Sequence, residues 1–385
     1  MKKYIKTLAL LVLVAFSSHA WGEVPPINIS TLNMLKESFR TDQNNTVISG
    51  LSVDFATDML ANGTKGKSLE QLEKFLNTSV YHKNIELAEK LKKLPQTLEI
   101  SNSIWGNNFK ESFEMLLENT LNVSANPLPN NTDVINTWIS EKTHNKIKSM
   151  LKPEPTDPLD LYLVNTVYFK DSWLNQFEKT NTKKEKFHSI NGMDKEVSMM
   201  HKTSKILYAE NDKLQSIKLP YKNGGYMTIF LPKENETSIL ETAKIFLQKN
   251  KTNTSTDFNT FISNLTLADL DLSYTSQKVV LSFPKFTINK ETDVKKLFQS
   301  FGITEIFKKD NTDLDTMASL GAYVRDIKQK AIIEVDEEGT TAAATLVYAQ
   351  TKGIRRGKPI IYFTANRPFL FFVDQGDFIG IYTGK

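Results

Sequence analysis

The chain has 385 residues, with 48 Lys and Arg against 44 Asp and Glu, and no cysteine. A balance this even, with no basic stripe, excludes a nucleic-acid-binding role. The missing cysteines exclude a disulfide-stapled scaffold, which a chain this long does not need in order to bury a core.

At the N-terminus, Lys2, Lys3 and Lys6 precede the apolar run Leu8 to Phe16, and Ala20-Trp21-Gly22 supplies small residues spaced for signal peptidase. That run is too short to cross a hydrocarbon core about 30 Å thick. Residues 1–22 are therefore read as a cleaved secretory signal, cut after Gly22, and the protein is expected to be secreted and extracellular with no membrane partner. Removing the three leader lysines leaves 45 basic against 44 acidic residues, so the apparent basicity belongs to the leader. Clusters such as Lys90, Lys92 and Lys93 read as a solvated helix face.

Helical periodicity dominates the first half of the chain and strand patterns the second, which predicts an α+β layer structure. Helices are expected over Ile29 to Arg40, Ser68 to Leu76, Asn84 to Leu94 and Asp133 to Met150, the last capped by Thr132-Asp133. Strands are expected over Leu161 to Phe169, Tyr226 to Leu231, Lys278 to Ile288, Ala331 to Val335, Ile360 to Ala365 and Pro368 to Val373. There is no internal repeat, low-complexity tract or Gly/Pro-rich linker, and residues 23–385 are read as one domain.

Asn-x-Ser/Thr sequons begin at Asn28, Asn44, Asn62, Asn77, Asn122, Asn130, Asn235, Asn250, Asn253 and Asn264. In an exported chain these are candidate glycosylation sites. Asn62 is set apart because it sits at an expected helix end.

The motifs of enzymes are missing. Besides His19 in the leader, the histidines are His82, His144, His188 and His201, with no HExxH pair and no metal-ligand spacing, so neither a metal nor a cofactor is expected. No G-x-S-x-G elbow exists, and Gly353 to Lys358 is one residue short of a phosphate loop and ends in Pro359. On residues alone a serine hydrolase with a dispersed triad stays open, because triads assemble in space.

The segment Glu337 to Gln350, EEGTTAAATLVYAQ, is the least conventional. Gly339 tolerates backbone angles closed to other residues. Were the following residues a strand, Thr340, Ala342, Ala344 and Leu346 would share one face and Thr341, Ala343, Thr345 and Val347 the other. No proline interrupts 285–358, so each amide there could join a ladder, and about fourteen residues of strand would span roughly 46 Å. An alanine-rich helix capped by Thr340 or Thr341 fits the same residues.

EVDEEGTTAAAT (Glu334 to Thr345) resembles the hinge of the serpins. LVNTVYFKDSW (Leu163 to Trp173) resembles the stretch that carries their shutter asparagine, here Asn165, and the tryptophan behind the loop's entry point, here Trp173. FTANRPFLFFV (Phe363 to Val373) matches their C-terminal signature. INTWISEKTHNKI, VSMM, LPYK, FPKFTI and FGITEIF add further ordered blocks across nearly the whole mature chain.

The resemblance implies a serpin fold of three β-sheets surrounded by about nine helices, with an exposed reactive-centre loop over about 337–359. It also implies a suicide mechanism. A serine protease cleaves the loop and forms an acyl-enzyme; the hinge then enters the main sheet as a new strand and drags the protease to the far pole. The hinge set is Glu337, Glu338, Gly339, Thr340, Thr341, Ala342, Ala343, Ala344 and Thr345. The breach set is Trp173, Lys285 and Glu337, the last two as a salt bridge. The shutter set is Ser49, Ser52, Asn165 and Gln329, with Gln329 standing where many members have histidine and Gly50 where proline is common.

The usual spacing places the scissile bond between Gly353 and Ile354. A loop one residue shorter places it at Lys352-Gly353, and a longer one after Arg355 or Arg356. The four basic residues of this stretch favour a trypsin-like target, since a cation in a carboxylate-lined pocket is a strong anchor; an elastase-like target fits Gly353. A monomer is expected. A glycosaminoglycan cofactor is not, because the helix near Lys83 to Lys93 carries too few basic residues. A non-inhibitory serpin with a carrier, storage or chaperone role is the alternative.

Overall fold

The structure is a computed structural model that describes residues 27–121, 123, 125–152, 154, 156–233, 254–309, 311–318, 321–339 and 359–385. The leader, Thr340 to Thr345 of the hinge and Lys352 to Arg356 of the reactive site lie outside the described residues.

Three helices open the fold: α1 (Ile29–Asp42), α2 (Gly50–Asn62) and α3 (Gly66–Leu76), with β1 (Thr46–Ser49) between the first two. Asn28 caps α1, its side chain accepting from the Ser30 amide, and Ser49 caps α2 in the same way through the Ser52 amide. Helix α4 (Val80–Lys93) begins a turn earlier than its periodicity predicts because Ser79 caps it. Its Lys83 turns inward to pair with Asp54 of α2 at 2.7 Å, while Lys90 bridges Glu86 and Asp377.

The expected helix over Asp133 to Met150 stops at Lys142, giving α6 (Asp133–Lys142) after the short α5 (Glu111–Leu116). His144 and Asn145 take left-handed angles, φ 50° and 59°, which end the helix. The chain then folds back onto Asn136, whose amide nitrogen donates to the Leu151 carbonyl at 2.8 Å and whose oxygen accepts from the Met150 and Leu151 amides. Thr132 is not a side-chain cap either, for its hydroxyl donates to the Lys152 carbonyl instead.

The strands form two hydrogen-bonded layers. A five-stranded sheet runs in the order β10 (Phe286–Asp293), β11 (Tyr323–Val335), β4 (Asp160–Phe169), β2 (Leu98–Gly106) and β3 (Ala125–Pro127). A nine-stranded array contains β1, β5 (Lys183–His188), β6 (Asp194–Glu210), β7 (Leu214–Pro220), β8 (Tyr226–Pro232), β9 (Thr275–Pro284), β12 (Ile361–Thr364), β13 (Phe369–Val373) and β14 (Phe378–Tyr382). Two of the three expected sheets are thus run together by β6, a 17-residue strand that pairs with β5 and β9 along most of its length and with β7 at its end. The remaining helices are α7 (Thr254–Asn264), α8 (Leu267–Leu270) and α9 (Val294–Ser300), which brings the α-helices among the described residues to nine.

The expected strand Lys278 to Ile288 is in fact two, β9 and β10, parted at Lys285, so this one residue crosses between the layers. Every residue of β4 is buried because both faces of its sheet are covered. Val167 and Phe169 pack with Ile333, Phe286 and the strands of the other layer, while Tyr162, Val164 and Tyr168 lie beneath Ile135 and Ile139 of α6.

Candidate functional site: the seam between β4 and β11

Strands β4 and β11 pair directly and in parallel, from Tyr323 beside Asp160 to Ile333 beside Phe169. Both point their C-termini to the same end of the sheet, and there the predicted hinge begins. After Val335 the chain makes a tight turn in which the Asp336 amide donates to the Gly339 carbonyl at 3.0 Å. Gly339, at φ 125°, forms an isolated bridge with Ser172 just beyond the end of β4. A Cβ there would stand 2.3 Å from the Trp173 nitrogen and 2.6 Å from the Asp171 oxygen, both backbone atoms. Backbone angle and contact together demand glycine.

The loop after β4 clasps this turn. The Trp173 amide donates to the Glu338 carbonyl at 3.0 Å and the Phe177 amide to the Glu337 carbonyl at 2.8 Å. Trp173 Nε1 donates to the Asp336 carbonyl at 3.0 Å, and Gln176 Nε2 donates to the Glu338 carbonyl. The buried Trp173 indole stacks on Tyr221 at 4.7 Å and 11°, and Tyr221 is backed in turn by Phe169, edge-on at 5.1 Å.

Glu337 is 5% exposed. Its carboxylate accepts from Lys285 Nζ at 2.9 Å and from the Thr182 hydroxyl at 2.8 Å. Burial by itself would raise this carboxyl, but the hydrogen bonds from Lys285 and Thr182 outweigh it and hold the group below its ordinary value. Lys285 is placed to reach it because it is the crossing residue between β9 and β10, pinned by its amide to the Ser198 carbonyl. Glu338 meets Lys179. The structure places Trp173, Lys285 and Glu337 around the same turn, and Thr182 and Lys179, which the sequence did not single out, join them.

Midway down the seam a row of polar side chains replaces the apolar columns. The strand register places Thr292, Gln329, Asn165 and Asn102 side by side across four strands. Gln329 holds Ser49 at both of its backbone groups: its oxygen accepts from the Ser49 amide and its nitrogen donates to the Ser49 carbonyl, each at 3.2 Å. The Ser49 hydroxyl donates to the Gly376 carbonyl at 2.8 Å and accepts from the Ser52 amide. The Ser52 hydroxyl donates to Asn165, and Asn165 donates in turn to Asn102. All four expected shutter residues meet here, and Asn102 joins them.

A family model described as Serpin (serine protease inhibitor) matches residues 28–379. The chain belongs to the serpin family. Serpin B6 of Pongo abelii is 29% identical over 374 residues, covering 91% of this chain and 94% of its own. Iripin-8 of Ixodes ricinus is 28% identical, covering 93% and 91%. Among solved structures, the thermophilic serpin tengpin in its native state superposes with a TM-score of 0.76 at 27% identity, over 92% of this chain and 93% of that one.

Two departures from the usual serpin pattern have physical explanations. Gln329 supplies one donor and one acceptor, and a single backbone unit takes both. At Gly50 a Cβ would lie 2.2 Å from the Thr31 hydroxyl oxygen, and the Gly50 amide donates to the Asp377 carbonyl at 3.0 Å, a bond proline cannot make. Of the sequons, Asn44, Asn77, Asn130 and Asn264 are exposed and Asn28 caps α1. Asn62, the one set apart, is tied to Asp58 and Asn84. Asn122, Asn235, Asn250 and Asn253 lie outside the described residues.

Proposed function

We propose that this serpin is a secreted, single-use inhibitor of a trypsin-like serine endopeptidase, and that the β4–β11 seam receives the hinge after cleavage. The observation that carries the reading is the direct parallel pairing of β4 with β11, with the hinge clasped at the open end of the seam.

A strand running back from Gly339 between them would be antiparallel to both. One parallel ladder would give way to two antiparallel ones, which are slightly more stable per residue. The net gain is one ladder of about ten hydrogen bonds, on the order of 10 kcal/mol at a net ~0.5–1.5 kcal/mol each. Small residues at Thr340, Ala342 and Ala344 suit the inward face of such a strand. The clasp around Asp336 to Gly339 and the ties of Gln329 and Asn165 are the barrier that keeps the intact chain from relaxing early.

In this reading the protease attacks within Lys352 to Arg356, an acyl-enzyme forms, and insertion carries it away before water completes hydrolysis. The basic residues Lys352, Arg355, Arg356 and Lys358 support a target with an anionic specificity pocket. The lysine-led apolar leader supports export, with sugar expected at the exposed sequons. The test is incubation with trypsin, chymotrypsin and elastase followed by a denaturing gel. A covalent adduct with trypsin is expected, and mass spectrometry of the released C-terminal peptide names the bond. Cleavage by all three enzymes with no adduct would refute inhibition and favour a carrier or storage role.

A further inference from the structure

The clasp loop has a second side. Behind Trp173 and Phe177, where β6 passes β7 and β8, lies a pocket of about 150 Å³. An apolar cavity of about that volume is enough to hold benzene. This pocket differs in carrying cations: Lys202 from β6 and Lys218 from β7 line it together with Trp173, Phe177 and Tyr226.

The Lys202 ammonium sits 4.9 Å from the centre of the Phe177 ring and donates to the Asn175 carbonyl. Among the described residues no carboxylate pairs with it, and burial lowers it to about 8. Lys218 is 1% exposed, with its ammonium 4.3 Å from the Tyr274 ring and 5.6 Å from that of Tyr226. Burial lowers it too, offset in part by Asp374. The Phe177 face compensates the Lys202 cation only in part, since a cation over a ring is worth roughly 0.5–2 kcal/mol.

We propose that this pocket is a binding site for a small single-ring aromatic carboxylate, its anion on the Lys202 side and its ring among Trp173, Phe177 and Tyr226. Such a ligand sets a carboxylate beside Lys202, which no carboxylate among the described residues meets, and fills the apolar remainder. It also braces the clasp loop from behind, because Trp173 and Phe177 hold the hinge carbonyls through their backbone amides while their side chains wall the pocket.

Titration calorimetry on the intact, uncleaved protein tests the site, with benzoate as probe and benzyl alcohol and inorganic phosphate as controls. Benzoate is expected to bind at least roughly tenfold more tightly than either control, the scale of one hydrogen bond to a charged group. Lys202→Gln is expected to abolish that preference and Lys202→Arg to keep it. Ser204→Phe, which fills the pocket from the same face of β6, is expected to block benzoate with both lysines intact, and thermal melts report whether each variant is folded. Equal affinity for benzyl alcohol overturns the anionic site, equal affinity for phosphate overturns the aromatic one, and unchanged binding in Ser204→Phe overturns the location.

Discussion

Gln329→Ala is the most direct test of what holds the seam closed. The glutamine is buried, and its two hydrogen bonds hold both backbone groups of Ser49, the cap residue of α2. Truncation removes both bonds inside the protein, at roughly 1–3 kcal/mol for each buried group left without that partner, and opens a void besides. A loss of roughly 2–6 kcal/mol is expected, measured as a lower urea midpoint with an unchanged slope. Gln329→Met separates the two contributions, since it restores volume but no hydrogen bond, and it should recover only the void. Seam opening also predicts faster thermal loss of inhibitory capacity in both variants than in the parent. A Gln329→Ala midpoint within about 0.5 kcal/mol of the parent, or full rescue by methionine, would refute the claim that this amide ties the sheet to α2.

Three further outcomes follow from the geometry. Glu337→Gln should cost about 1–2 kcal/mol at neutral pH, the lower part of the range for a charged hydrogen bond, because half-exposed Lys285 can return to water. The Glu337 carboxyl is held below its ordinary value, so its contribution is present above the unfolded pKa near 4.3 and lost as pH falls through the folded one; urea midpoints of parent and variant should converge below about pH 4. Asp58 has the opposite sign: burial raises it to about 7, so the stability it confers is complete below its unfolded pKa near 3.9 and lost as pH rises through 7. Asp58→Asn should therefore raise stability at pH 8 by up to roughly 4 kcal/mol and change little at pH 4, read from thermal melts across that window. Gly339→Ala should lose roughly 1–3 kcal/mol of local stability and release Trp173 from its stack, seen as red-shifted tryptophan fluorescence and faster proteolytic nicking near the hinge.

What could be read from the sequence depended on how each residue is used. Helix α1 declared itself through its apolar stripe, to which the structure adds the Asn28 cap. Helix α2 did not, because nearly every position from Gly50 to Ala61 is buried and a helix covered all round has no amphipathic period. The break at Lys285 was hidden for a related reason, since the apolar alternation resumes at once in β10 and only the switch of layers separates the strands. Asn165 and Gln329 interrupt apolar columns in their own strands, and that signal is local. Asn102 and Thr182 join the site only through cross-strand register and loop contact, which no single strand encodes. The early end of α6 rests on the side chain of Asn136 reaching forward fifteen residues, a long-range latch that helix propensity cannot reveal.

The 17-residue strand β6 gives the molecule an unbroken spine roughly 55 Å long at about 3.3 Å per residue. Joined along its edges to three other strands, it makes the nine-stranded layer a stiff backplate. A fresh strand forced between β4 and β11 in the thinner layer in front would find that plate unyielding, so nearly all the displacement must be taken by β4, β2 and β3 together and by the helix packed on them. Mechanical compliance in this protein is thus one-sided, fixed by the length of a strand that never touches the incoming chain.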